Sequence, residues 1–185
     1  MTQPLLVVVH GAAAAGKTLL SQSLAQALEM PLISTDDIKE SLFDHFPHGT
    51  IAESDRISAA SLDLLWIWLD RLMELGLVSL IVESVFPETT SEPRLGELLD
   101  LHGYRAVQIY CHATEPVLRE RYVARARTPG RHPGHQDLRR VEGQPIPDHG
   151  PYRPLDLPGL LIDLDTTDLA TVDYPAITRA IRDLM

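Results

Sequence analysis

The feature that most constrains this chain is the octet Gly11-Ala12-Ala13-Ala14-Ala15-Gly16-Lys17-Thr18, which satisfies G-x-x-x-x-G-K-[ST] and follows, after His10, on the apolar run Leu5-Leu6-Val7-Val8-Val9. A buried strand, a tight small-residue loop and a helix opening at the lysine form the context in which that spacing binds phosphate. The first amides of the helix have no partner within it. They converge on an anion, and the positive end of the helix dipole adds to the attraction. The loop Gly11, Ala12, Ala13, Ala14, Ala15, Gly16, Lys17 and Thr18, with Leu19 beyond it, is the expected nucleotide cradle. Lys17 is expected to reach the β- and γ-phosphates, and the Thr18 hydroxyl to hold Mg2+. Four consecutive alanines replace the glycine or proline usual in such loops. Alanine tolerates a left-handed backbone less well than glycine, so a stiffer loop is expected.

The remaining apolar pattern alternates strands with helices. Strands are expected at 31–34, 77–83, 104–111 and 160–165, and helices from Lys17 to about Glu29, from about Ser54 to Leu75, from Ser91 to His102, from Thr114 to about Ala126 and from Tyr174 to Met185. On the longest helix Ile57, Ala60, Leu64, Leu65, Trp68, Leu69 and Leu72 recur at three- and four-residue spacing, and Trp66 and Trp68 are expected in the core. Five strands alternating with helices behind a phosphate loop predict a three-layer α/β/α sandwich with a parallel sheet. One domain spanning 1–185 is the expectation for this length.

Two polar clusters stand out. Asp36-Asp37-Ile38-Lys39 falls at the end of the second strand and the start of a helix. A helix cap accounts for one carboxylate but less readily for two with a lysine one turn on, and ligands bind at the carboxyl ends of such strands. Glu83 ends the third strand, where a carboxylate can hold Mg2+ or its water shell. The second cluster is Arg119, Arg121, Arg125, Arg127, Arg131, Arg139 and Arg140, seven of the sixteen basic residues of a chain whose net charge is −10. A solvated helix face interleaves acids, and this one has only Glu115 and Glu120, so a phosphate-facing lid over about 119–150 is expected. Arg121 and Arg125, four residues apart, share a face. From Thr128 to Pro158 seven of the fourteen prolines and four glycines predict a mostly irregular segment. His132 and His135 lack the companions that a zinc site needs.

Composition narrows the classes. The acidic balance argues against general affinity for long nucleic acids, and the single Cys111 makes no internal disulfide, as expected of a reducing cytoplasm. No apolar run reaches the roughly 20 residues needed to cross a bilayer, and no basic region precedes the first apolar stretch, so neither a membrane span nor a secretory signal is expected. A GTP switch would need N-K-x-D, and neither Lys17 nor Lys39 follows an asparagine.

With these motifs the chain resembles the P-loop small-molecule and polynucleotide kinases, a group that includes chloramphenicol phosphotransferase, zeta toxins, the kinase domain of bacteriophage polynucleotide kinase and AAA-type predicted kinases. The likeness covers most of the chain. Its most specific part is Asp36-Asp37-Ile38-Lys39, which looks like the D-D-x-R segment of the polynucleotide kinases. It implies that Asp36 is the catalytic base, with Lys39 where that family has an arginine holding a substrate phosphate. A lysine contacts phosphate as a point charge and cannot make the two-pronged contact of a guanidinium. The resemblance further implies that Glu83 lies beside the acceptor, that an arginine such as Arg121, Arg125 or Arg131 bridges the transferring phosphoryl group, and that the Asp165-Thr166-Thr167 turn passes near the adenine. The implied activity is transfer from ATP, with Mg2+, to a hydroxyl of a small molecule or nucleotide by a monomer or homodimer. A polynucleotide 5′-hydroxyl acceptor and a non-kinase ATPase module are the alternatives.

Overall fold

β1 (Leu5–Gly11) is buried along its whole length, which a strand achieves only at the centre of a sheet covered on both faces. A computed structural model of the chain, describing residues 3–76, 78–143 and 152–185, places it there. Five parallel strands run in the order β2-β3-β1-β4-β5, with β2 at Leu32–Ser34, β3 at Leu80–Glu83, β4 at Arg105–His112 and β5 at Gly159–Asp165. The side-chain period of two sorts β1 into two cores. Leu6 and Val8 pack with Leu65, Trp66 and Leu69 of α3 (Ile51–Leu75) and Leu95 and Leu99 of α4 (Glu88–His102). Leu5, Val7 and Val9 pack with Leu20 and Leu24 of α1 (Lys17–Leu28) and Ile177 and Ile181 of α7 (Tyr174–Arg182). Each fully buried leucine or isoleucine contributes about 1.5–3 kcal/mol.

This order positions the site. After β1 the chain fills one side of the sheet with β2 and β3, then crosses to the other with β4 and β5, so β1 flanks the topological switch point. The register aligns Val9 with Glu83 and Ser34 with Glu83, and Gly11 with Cys111. The ends of β1, β2 and β3 therefore open on the same edge. From there α2 (Thr35–Phe43) leaves β2, and α5 (Glu115–Ala126) and α6 (Asp137–Gly143) rise beyond β4.

Several local expectations are corrected. α3 starts at Ile51 rather than Ser54 because Thr50 and Glu53 form a reciprocal cap: the Glu53 amide donates to Thr50 Oγ1 at 3.2 Å and the Thr50 amide to Glu53 Oε2 at 3.0 Å. α4 begins at Glu88 rather than Ser91 and carries Pro93 inside it. The third strand is shorter than expected, starting at Leu80, and Leu77 lies outside the described residues. Trp66 is 4% exposed, but Trp68 is 58% exposed, because two residues further along a helix turns a side chain about 200° away. Ala60 is likewise exposed. The segment from Thr128 to Pro158 is less irregular than its prolines suggest: a helical turn at Pro133–His135 leads into α6. Residues 144–151, including Gly150 and three of the prolines, lie outside the described residues.

Candidate active site

The phosphate loop is strung between backbone contacts. Gly11 has φ 132°, and a Cβ there would lie 2.0 Å from the Cys111 carbonyl oxygen, so only glycine lets β1 pass this close to β4. Ala14 takes φ 65° and Gly16 φ 81°. Placing an alanine in the left-handed region costs about 1–2 kcal/mol, and the loop is pinned on three sides. The Ala15 amide donates to the Ala12 carbonyl at 3.3 Å, Lys17 Nζ donates to the same carbonyl at 2.7 Å, and the single Thr166 hydroxyl proton is shared between the Ala15 carbonyl at 3.0 Å and the His112 carbonyl at 2.8 Å. No side chain caps α1, which leaves its first amides available to an anion.

A cavity of 740 Å3 opens against this loop, lined there by Ala13, Ala14, Gly16, Lys17, Thr18 and Leu19. Gly11, Ala12 and Ala15 do not line it. Gly11 ends the strand, Ala15 is buried in the core, and Ala12 packs against that core. Lys17 is 7% exposed. Burial lowers its pKa from the usual lysine value, opposed by the Glu83 carboxylate.

Asp36, Asp37, Lys39 and Glu83 line the same cavity. The two aspartates stand in the first turn of α2, where the helix dipole favours negative charge. Glu83 Oε2 accepts a bond from Ser34 Oγ at 2.7 Å. Its pKa is raised by burial, against the opposing pull of Lys17 and Ser34. Arg131 Nη1 donates to Asp36 Oδ2 at 3.2 Å. Burial pushes the Asp36 carboxyl up, but Arg131, His135 and Lys39 together outweigh it and hold the group below its usual value. Lys39 has its ammonium 5.4 Å from the centre of the Phe43 ring.

The roof carries the arginines. Arg121, Arg125, Arg131 and Arg140 line the cavity, whereas Arg119, Arg127 and Arg139 are exposed and Arg139 reaches away to the Gly49 carbonyl. Four of the seven are thus turned inward, Arg121 and Arg125 by the helical repeat of α5. The residue that arranges it is Asp137, which no motif marked. Its carboxylate, 7% exposed, accepts from Arg131 Nε at 2.8 Å and from the Tyr122 hydroxyl at 2.8 Å, and stands 3.8 Å from Arg125. Glu40, Asp55 and His135 were also missed. His135 Nε2 pairs with Glu40 at 2.8 Å, and Arg140 pairs with Asp55. A carboxylate at a helix start is the one signal Asp137 offered, and it reads equally as a dipole partner. His132 stacks on Phe43 with ring centres 5.2 Å apart, and His135 meets the edge of the same ring, so both histidines pack this segment against α2.

Thr166 is placed differently from expectation. Its side chain is 2% exposed and both its hydroxyl contacts are carbonyls, Ala15 at 3.0 Å and His112 at 2.8 Å. It braces the loop from behind, while the neighbouring Thr167 carbonyl accepts from Arg121 Nη2 at 3.1 Å. Among the described residues no group of three His, Cys, Asp or Glu side chains could hold a metal. Mg2+ takes one or two protein oxygens and most of its ligands from phosphate and water. Thr18 and Glu83 both line this cavity, and a hydroxyl and a carboxylate are oxygen donors of the kind that could hold it.

A family described as an AAA domain matches residues 6–144. No curated protein matches the chain. Among solved structures, a candidate kinase from Chloroflexus aurantiacus j-10-fl is 34% identical, with a TM-score of 0.85 and full coverage of both chains. The Mycobacterium tuberculosis APS kinase CysC, solved with AMPPNP and APS, is 15% identical with a TM-score of 0.62, covering 100% of this chain and 98% of that one. This second likeness is one of fold. The loop, the strand order and the match across three-quarters of its length all agree: the chain belongs to the AAA domain family and has the fold of the P-loop kinases.

Proposed function

We propose that the protein is an ATP-dependent kinase that transfers the γ-phosphoryl group to the hydroxyl of a small molecule, with Asp36 as the base. The observation that carries this reading is that Asp36 and the Lys17 loop line one cavity, with Arg121, Arg125 and Arg131 lining it too. The triphosphate lies along the amides of residues 13–18, and Lys17 exchanges the Ala12 carbonyl for a phosphate oxygen. Arg121 Nη1 and Arg125 Nε are buried nitrogens with no hydrogen-bond partner among the described residues, and a ligand oxygen would satisfy them. When bound at Thr18 and Glu83, Mg2+ supplies charge neutralisation on the phosphates.

Asp36 keeps one oxygen on Arg131 and presents the other to the acceptor. A carboxylate held below its usual pKa is a weak base, so it orients the hydroxyl and takes its proton late, as suits a loose phosphoryl-transfer transition state. The lid arginines stabilise charge on the moving group, a contribution of several kcal/mol where water is excluded. Family likeness supports adenine over guanine.

Asp36→Asn is expected to lower transfer by about 100-fold or more while nucleotide affinity stays within about twofold, and Lys17→Ala to weaken both. Isothermal titration with ATP beside a coupled ADP-release assay separates the two effects. Transfer at wild-type rate by Asp36→Asn would remove the base assignment. The family's description as an AAA domain favours a second reading, a non-kinase ATPase module. Light scattering with and without ATP discriminates them: a hexamer supports the module, a monomer or homodimer the kinase. No helix among the described residues is long and apolar enough to cross a membrane, which is compatible with the cytoplasmic setting we propose.

A further inference from the structure

A single line of contacts runs from α5 to the base. The Tyr122 hydroxyl donates to Asp137 Oδ1 at 2.8 Å, Arg131 Nε donates to Asp137 Oδ2 at 2.8 Å, and Arg131 Nη1 donates to Asp36 Oδ2 at 3.2 Å. Three elements meet in it: Tyr122 lies on α5, Asp137 opens α6 and Asp36 stands in the first turn of α2. Both Asp137 oxygens are engaged, and its side chain is buried.

What Asp36 receives depends on where the guanidinium is held. A guanidinium is planar and rigid, so fixing Nε fixes where its other nitrogens fall. Held at Nε by Asp137, Arg131 gives Asp36 one N–H, on Oδ2, and no described residue bonds Oδ1. A competing carboxylate stands close by: Glu40, one helical turn along α2, has Oε1 3.5 Å from the same Nη1. Released at Nε, the guanidinium is free to make the two-pronged contact that carboxylates favour. On Asp36 that contact closes the oxygen needed by the acceptor, and on Glu40 it leaves Asp36 unanchored.

Resting on the kinase reading above, we infer that Asp137 is a positioning residue for phosphoryl transfer: by holding Arg131 at Nε it confines that arginine to one oxygen of Asp36 and keeps the other open to the acceptor hydroxyl. Tyr122 fixes the Asp137 carboxylate in turn. Asp137 acts through Arg131 and not on the substrate.

The test is a double-mutant cycle between Asp137 and Arg131. ADP release from ATP and Mg2+ is followed with water and with excess glycerol as acceptors, ATP binding is measured by calorimetry, and circular dichroism sets an assay temperature at which every variant is folded. Asp137→Asn is expected to lower kcat by about tenfold or more, the range of a misplaced catalytic group, with ATP affinity within about twofold of wild type. In the Arg131→Gln background the same substitution is expected to change kcat by less than about twofold. An unchanged kcat, a loss that appears in ATP affinity instead, or a loss equally large without Arg131 overturns the inference and leaves the kinase reading standing. Should Asp137→Asn not fold, Tyr122→Phe takes its place, since it keeps the carboxylate and removes only the Oδ1 bond. A loss of about threefold that vanishes in the Arg131→Gln background then supports the positioning role, and no loss, or an equal one, overturns it. Wild-type protein that binds no ATP, or binds it and releases no ADP with either acceptor, overturns the kinase reading and this inference with it.

Discussion

Replacing Asp137 by asparagine keeps the shape of the side chain and removes its charge, which isolates the ion pair that arranges the lid. The Tyr122 hydroxyl can still donate to the amide oxygen, so the loss falls on the Arg131 Nε contact at 2.8 Å and the weaker Arg125 contact at 3.8 Å. Arg131 keeps Asp36 and Glu40 and is not stranded. The cost is therefore that of a charge-assisted hydrogen bond, about 2 kcal/mol, rather than the larger penalty of an unpaired buried charge. For 185 residues the unfolding entropy is about 0.4 kcal/mol/K, so Tm should fall by about 5 °C at neutral pH.

The pH dependence follows from the same contact. Burial raises the Asp137 carboxyl, but Arg131, Tyr122 and Arg125 outweigh it and lower its folded-state pKa. The unfolded chain then binds the proton more readily than the folded one, so this group's stabilisation is present above about pH 4–5 and is lost as pH falls through the lowered value. Melts followed by circular dichroism at pH 7 and pH 3 are the assay. The gap between wild type and Asp137→Asn should narrow at the lower pH. An equal gap at both values, or a Tm unchanged at pH 7, would refute the assignment of Asp137 as the charged anchor.

Further perturbations separate local causes. Thr166→Val removes the donor that braces the Ala15 carbonyl and should cost about 1 kcal/mol, roughly 3 °C in Tm, and weaken nucleotide binding; Thr166→Ser should restore both, and equal behaviour of the two variants would exclude the brace. Trp66→Ala should cost about 3–5 kcal/mol, and Trp68→Ala should lie within about 0.5 kcal/mol of wild type, as urea unfolding would measure. Gly134→Ala would put a Cβ 2.3 Å from Phe43 Cγ, an overpacking expected to cost about 1–3 kcal/mol. Gly130→Ala, with open space around it, should unfold at the temperature of wild type.

Much of the site was readable before folding because its parts are local. The loop needs a strand, a helix start and a lysine within fourteen residues, and the chain states all of these consecutively. Arg121 and Arg125 face one cavity because four residues make just over one helical turn. Trp68 and Thr166 were less legible for a related reason. Both belong to patterns that fix a period but not the direction in which it points. The helix face left bare was decided by what α3 packs against, and the Thr166 hydroxyl by how close β4 and the loop lie.

By itself, then, the order of residues determined the strand–loop–helix opening and the parallel α/β layering, and it singled out Lys17 as the candidate phosphate ligand, since each rests on contacts between near neighbours in the chain. Tertiary structure alone decided that Arg131 reaches across 95 residues to Asp36 and that Asp137 gathers Arg131 and Arg125. Charge pairing inside a cavity depends on which groups lie within about 4 Å of one another, and a linear sequence does not encode that separation until β2, α5 and α6 are brought to the same edge of the sheet.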